Sequence, residues 1–165
     1  MHGDEVTVER VPPAETYGLR QRVLRPGRPV ESVHLSVDDD PATAAFVARG
    51  PDGAVVGTTI VFPEACPWAP DRPGAWRLRG MATEPALRGR GVGTRLLAAA
   101  LEHVAREGGR LVWCKARRPA QRLYERAGFV THGEGWTDPE LGPHVAMWRP
   151  LRADRPRPAD RSVPR

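Results

Sequence analysis

Between an apolar run ending at Met81-Ala82-Thr83 and a helical pattern beginning Thr94-Arg95-Leu96-Leu97 stands Arg88-Gly89-Arg90-Gly91-Val92-Gly93. Alternate glycines permit left-handed backbone and close approach of another molecule, and a helix start carries free N–H groups at the positive end of its dipole. A strand, a glycine turn and a helix in that order offer a place for phosphate groups. The same residues also suit a turn that does no more than start a helix. A nucleotide-hydrolysing loop needs Gly-Lys-Ser/Thr, but Gly93-Thr94 is followed by Arg95. A dinucleotide fingerprint starting at Gly89 needs glycine at 94, where Thr94 stands, and an acidic residue about 20 positions on for the ribose, whereas the next strand ends at Lys115-Ala116.

Around this loop the elements follow from periodicity and punctuation. Val6 to Val11 alternates as a short strand, and Pro12-Pro13 opens a helix carrying Tyr17, Leu19, Val23 and Leu24 until Pro26-Gly27. Residues 26 to 41 read as a loop containing Asp38-Asp39-Asp40. That triplet could attract a cationic amine, but Asp40-Pro41 is an ordinary turn start, which is the preferred expectation. Thr43 to Arg49 and Ala54 to Phe62 form a hairpin about Gly50-Pro51-Asp52-Gly53, and the four prolines within Pro63 to Gly74 make a surface loop. Trp76 to Thr83 is the strand feeding the glycine loop. Leu96, Leu97, Ala100, Leu101 and Val104 lie on one helical stripe closed by Gly108-Gly109. Arg110 to Ala116 is a strand, Pro119 suits the first turn of a helix ending at Ala127-Gly128, and Phe129 to Trp136 pairs with His144 to Leu151.

At 165 residues and 40% hydrophobic content the chain can bury one core, placed in residues 1–151. After Leu151 it is Arg, Pro, Asp, Ala and Ser without apolar period, and residues 152–165 are expected to be a disordered tail. No run approaches the ~18 apolar residues of a membrane span, and Met1-His2-Gly3-Asp4-Glu5 lacks the regions of a signal peptide. A soluble, cytoplasmic protein with no membrane partner is expected. Cys66 and Cys114 form no metal or redox motif, the five histidines have no ligand spacing, and no metal is expected.

The formal charge of +5 does not argue for nucleic acid. Five tail arginines against Asp154 and Asp160 supply +3 of it. The whole chain has one lysine, one isoleucine and no asparagine, the usage of a GC-rich genome, which itself raises arginine. No nucleic-acid partner is expected.

Arg88-x-x-Gly91-x-Gly93 resembles the pyrophosphate loop of the GNAT superfamily of acetyl-CoA-dependent N-acetyltransferases. Met81-Ala82-Thr83-Glu84-Pro85 precedes it, and Ala120-Gln121-Arg122-Leu123-Tyr124-Glu125-Arg126-Ala127-Gly128-Phe129 matches the superfamily's A-x-x-x-Y-E-x-x-G-F block. With two motifs in the right order and a helix and a strand between them, the resemblance covers roughly residues 75 to 130. Trp113-Cys114-Lys115-Ala116-Arg117 and Gly142-Pro143-His144 resemble a small bacterial subgroup. The resemblance implies a mixed α/β fold with a central, mostly antiparallel sheet, splayed central strands and flanking helices. It implies acetyl-CoA as co-substrate, acetyl transfer to a primary amine of a small molecule, and leans to a homodimer. The rival expectations are a catalytically silent sensor or interaction module, or an enzyme acting on a protein or tRNA amine.

The same resemblance assigns residues. Met81, Ala82 and Thr83 pair with the pantetheine arm like an added strand. The backbone of Arg88, Gly89, Arg90, Gly91, Val92, Gly93 and Thr94 takes the pyrophosphate, with the Arg88 and Arg90 side chains adding charge. Tyr124 is the acid near the departing sulfur, unless it serves only to pack helix on sheet. His144 is the candidate base because its ordinary pKa suits proton transfer near neutrality, although a structural histidine, Glu134 or a water chain are alternatives. Glu84 suits capping. Independently of the resemblance, Arg79 on the central strand could face the acceptor, and could bind a carboxylate if the substrate is an amino acid. Arg117 stands where many members carry asparagine, and could meet the adenosine 3′-phosphate or face solvent.

Overall fold

The computed structural model describes residues 5–152, so the tail beyond Arg152 lies outside it. One seven-stranded sheet has the order β1-β2-β3-β4-β5-β7-β6, with β1 Thr7–Val11, β2 Ala44–Arg49, β3 Val55–Pro63, β4 Ala75–Thr83, β5 Leu111–Arg117, β6 Val130–Asp138 and β7 Gly142–Pro150. Every neighbouring pair is antiparallel except β4 with β5. Three helices accompany it, α1 Tyr17–Leu24, α2 Val92–Arg106 and α3 Gln121–Arg126. This is the mixed, mostly antiparallel architecture expected from the sequence. No helix among the described residues is long and apolar enough to cross a membrane.

The parallel pair needs a crossover, and α2 provides it. Its stripe of Leu96, Leu97, Ala100, Leu101 and Val104 is buried against one sheet face with Phe46, Val61 and Leu78. Gly57 lets the helix approach, since a Cβ there would stand 2.7 Å from Leu96 and 2.9 Å from Val92. Alternation along β3 sends Ile60 and Phe62 to the opposite face, where they join Val47, Leu35 and Val37.

Two local differences from the sequence expectation have physical causes. The proline-initiated helices begin as 3-10 turns, Pro13–Thr16 before α1 and Arg118–Ala120 before α3, because proline presets φ without donating a hydrogen bond. Residues 26 to 41 contain two further 3-10 turns, Val30–Val33 and Ser36–Asp39. Arg20 of α1 organises them: its guanidinium donates to Asp38 at 3.0 and 3.2 Å and to the Val33 carbonyl at 3.3 Å. Asp38 also accepts the Leu35 N–H at 2.8 Å. Within the acidic triplet, Asp40 accepts the Ala42 N–H at 2.8 Å, the turn expected there, while Asp38 points inward instead.

The Arg20–Asp38 pair is almost fully buried, with 3% and 0% of the two side chains exposed. It sits against a bulge in β4. Thr58 pairs with Ala82 and Ile60 with Arg79, so Gly80 and Met81 together oppose Thr59. Gly80 has φ +63°, and a Cβ there would meet Arg20 Nε at 3.1 Å. The Thr58 and Thr59 hydroxyls donate to the carbonyls of Gly80 and Arg79 at 2.9 and 3.2 Å, satisfying groups released by the irregular ladder.

Breaking a buried pair by removing one partner leaves an uncompensated charge. Asp38→Ala is therefore expected to lower unfolding free energy by about 3–5 kcal/mol in urea titration. The double variant Arg20→Met/Asp38→Leu should recover most of the loss. Equal stability of Asp38→Ala and the parent would show that Arg20 finds water in the folded state.

Candidate active site

β4 and β5 pair only at Ala75 with Leu111, Trp76 with Val112 and Arg77 with Trp113. Gly74 pins their starts, its carbonyl accepting from the N–H groups of Arg110 and Leu111 at 2.8 and 3.3 Å. Beyond the third pair the strands separate, and the bulge at Gly80 bends β4 three residues further on. Two clefts open where they part.

The first, of about 550 Å³, runs from the end of β4 over the glycine loop to α3. Met81, Ala82, Thr83, Arg88, Gly89, Gly91, Val92, Gly93 and Thr94 all line it. Gly89 and Gly91 take φ +78° and +86°, and a Cβ on either would project into open space. Gly91 is the N-cap of α2, and no side chain caps this helix start. Its first N–H groups therefore face the cleft at the positive end of a four-turn helix. Arg90, between two left-handed glycines, is exposed and stands outside the lining. Gly93 has a packing reason of its own, since a Cβ there would lie 3.1 Å from Leu123 of α3.

Two lining cations were missed in the sequence. Arg122 and Arg126 stand one turn apart on α3 and face the loop. Their i, i+4 spacing was the available signal, masked by an arginine-rich composition. Val23 and Leu24 of α1 close the opposite wall.

The second cleft, of about 470 Å³, shares Leu24, Met81, Arg117, Ala120 and Leu141 with the first, so the two are continuous. Tyr124 and His144 both line it. Tyr124 is 4% exposed, edge-on to Phe129 at 5.5 Å, and burial holds its hydroxyl well above the ordinary value of 10. It therefore keeps its proton throughout the neutral range. His144 is 8% exposed, and its Nδ1 lies 2.8 Å from the Gly142 carbonyl. A carbonyl only accepts, so Nδ1 carries hydrogen and the neutral ring presents Nε2 as acceptor. Trp136 stacks on the ring at 5.7 Å, brought opposite it by an irregularity in β6 between His132 and Trp136.

Other candidates lie elsewhere. Glu134 is exposed in that irregular stretch and lines neither cleft. Glu84 pairs with Arg22 at 3.1 Å. Arg117 is half-buried at the junction and donates to the Leu24 carbonyl at 3.1 Å, tying β5 to the end of α1. Cys114 lines the second cleft with its thiol pushed up to about 12 by burial. Among the described residues no group of three or more His, Cys, Asp or Glu gathers as a metal site.

A model of the acetyltransferase (GNAT) family matches residues 14–129. The chain is 31% identical over 149 residues to the uncharacterized N-acetyltransferase YitI of Bacillus subtilis, covering 90% of this chain and 98% of that one. Its fold resembles a GCN5-related N-acetyltransferase from Kribbella flavida, at TM-score 0.65, 21% identity, 90% of this chain and 99% of that one. It also resembles a chain of the NatC complex solved with Gag peptide and CoA, at TM-score 0.71, 16% identity, 90% of this chain and 99% of that one. The chain belongs to the GNAT family and is an N-acetyltransferase.

Burial makes a prediction about the thiols. Cys66 and Cys114 are both buried, and burial raises both pKa values, so neither presents thiolate at pH 8. Folded protein should react with a chromogenic disulfide at less than a tenth of the rate of unfolded protein, with two thiols titrating on denaturation. Immediate reaction of either in the native state would place it at the surface.

Proposed function

We propose that this enzyme transfers an acetyl group from acetyl-CoA to the primary amine of a small molecule. The observation that carries the proposal is the meeting of the two clefts in the gap between β4 and β5, with Tyr124 and His144 lining the second. The residues present fit the co-substrate. Gly89 and Gly91 leave open the space that side chains would fill, the α2 start is uncapped, and Arg88, Arg122 and Arg126 surround it with charge. The unpaired edge of β4 beyond Arg77 offers Met81, Ala82 and Thr83 for strand-like pairing with an amide-bearing arm.

Acetyl-CoA supplies the activated acyl group, as a thioester. An attacking amine must be neutral, and His144 Nε2 is the acceptor for the proton it sheds. Holding Nδ1 on the Gly142 carbonyl fixes the tautomer that makes Nε2 basic. Tyr124 holds its proton at Oη. A thiolate with a pKa near 8.5 is a fair leaving group, and full transfer from a phenol held well above 10 is uphill. Tyr124 therefore acts chiefly by donating a hydrogen bond as negative charge gathers on sulfur. A cleft of about 470 Å³ is the size of a small-ligand site.

Acetyl-CoA at a hundredfold its Kd should add about 2.7 kcal/mol of stability and raise Tm. Gly91→Val, which forces a branched side chain into a left-handed position and into the open cradle, should fold and lose that shift. An unaltered shift would put the phosphates elsewhere.

Tyr124→Phe should retain acetyl-CoA binding and lower kcat by about 10²-fold or less, the low end for acid assistance. Because burial raises the folded pKa of Tyr124, its proton is lost only far on the alkaline side. The rate should rise with pH as the amine deprotonates, then stay level to pH 10 in both proteins. A fall between pH 8 and 10 that Tyr124→Phe abolishes would show that the phenol titrates there and gives up its proton.

A further inference from the structure

The walls of the second cleft carry charge of one sign. β4 contributes Arg77 and Arg79, and β5 contributes Lys115 and Arg117, in each case two residues apart and so on one strand face. Arg25, just beyond α1, adds a fifth cation. Asp138 is the single carboxylate in the lining, and it is occupied, accepting the N–H groups of Glu140 and Leu141 at 2.8 and 2.9 Å.

The five cations differ in what already balances them. Arg77 donates to Glu64 at 3.1 Å and lies over the Trp113 ring at 4.7 Å. Arg25 lies 3.6 Å from Glu140, and Arg117 is held by the Leu24 carbonyl. Arg79 makes no hydrogen bond or ion pair through its guanidinium among the described residues. It is half-buried beside the Gly80 bulge, and burial, then the neighbouring Arg77 charge, lower its pKa below the ordinary guanidinium value, against the opposing pull of Glu64 and Asp38. A guanidinium kept out of water beside another cation is costly unless an anion completes it. Its planar fork matches two oxygens of a carboxylate or a phosphate.

We infer that the acceptor amine carries an anionic group, a carboxylate or a phosphate, and that Arg79 binds it on the β4 wall of the second cleft. Lys115, exposed on the facing strand, adds long-range attraction for the same charge. Polyamines and other polycationic amines are disfavoured by the same field. This inference rests on the acetyltransferase reading of the two clefts, and extends it to the class of acceptor.

The test compares amines matched in size and differing in charge: α- and ω-amino carboxylates, aminoalkyl phosphates, the corresponding neutral amino amides and amino alcohols, and polyamines. Thiol release from acetyl-CoA gives kcat/KM for each, and acetyl-CoA binding is measured separately by calorimetry. At least one anionic class should exceed its neutral counterparts tenfold or more in kcat/KM, and the better of the carboxylate and phosphate series identifies the group. Arg79→Gln should keep acetyl-CoA affinity and Tm, raise KM for the anionic amine about tenfold or more, and collapse its advantage over the neutral one. Lys115→Gln should lower the advantage less, and more at low salt than at high. Neutral or cationic acceptors that match or outpace the anionic ones overturn the inference, as does failure of every anionic amine with acetyl-CoA bound. An undiminished anionic preference in Arg79→Gln overturns the role of Arg79. Absence of acetyl-CoA binding defeats the acetyltransferase reading itself, and the inference with it.

Discussion

The arrangement depends on a parallel strand pair that is made and then abandoned. β4 and β5 are joined at their first three positions and separate thereafter. A parallel ladder left open in a sheet interior exposes polar backbone that must find other partners. The bulge at Gly80, in the neighbouring β3–β4 ladder, is satisfied separately, the carbonyls of Gly80 and Arg79 accepting from threonine hydroxyls of β3. What the separated strands leave is space: both clefts lie in the opening, and the proposed co-substrate and acceptor would approach each other through it.

Keeping such a gap open requires rigid walls. On one face α2 is packed by leucines against β3 and held close through Gly57. On the other, α1 carries Arg20 into the bulge, where Asp38 neutralises it and simultaneously orders the turns before β2. The buried ion pair thus connects the first helix, the acidic triplet and the bent strand. Packing of Gly93 against Leu123 does the same for the glycine loop and α3, fixing how far the start of α2 stands from Tyr124's helix.

Electrostatics then divides the opening. Both clefts are positive, but in different ways. Around the glycine loop, uncapped N–H groups and exposed arginines face an exposed channel suited to phosphate. In the second cleft, cations on two strand faces surround a phenol that keeps its proton and an imidazole of fixed tautomer. The half-buried Arg79, with no hydrogen-bond or ion-pair partner among the described residues, is the feature that separates the inferred acceptor from an arbitrary amine.

Local chemistry made much of this legible in the chain itself. Glycine alternation before a leucine stripe gives a turn and a helix, and apolar alternation gives the strands, so the loop and α2 could be named from sequence, while the family resemblance named the β4 and loop residues that line part of the first cleft. Tyr124 was placed by its motif. Tertiary structure alone decided which distant charges meet. Asp38 looked like part of a surface turn until Arg20, eighteen residues earlier, was folded against it. Glu134 and His144 were both open as bases, and the irregular register of β6 left the first outside while β7 turned the second into the cleft. Arg77, Arg122 and Arg126 were hidden in an arginine-rich composition, and nothing in the sequence signalled that Arg79 and Arg117 share one cleft with Lys115. Spacing along a chain reports which residues share a face, whereas the field in a cleft is set by faces from separate elements, and only their packing brings those together.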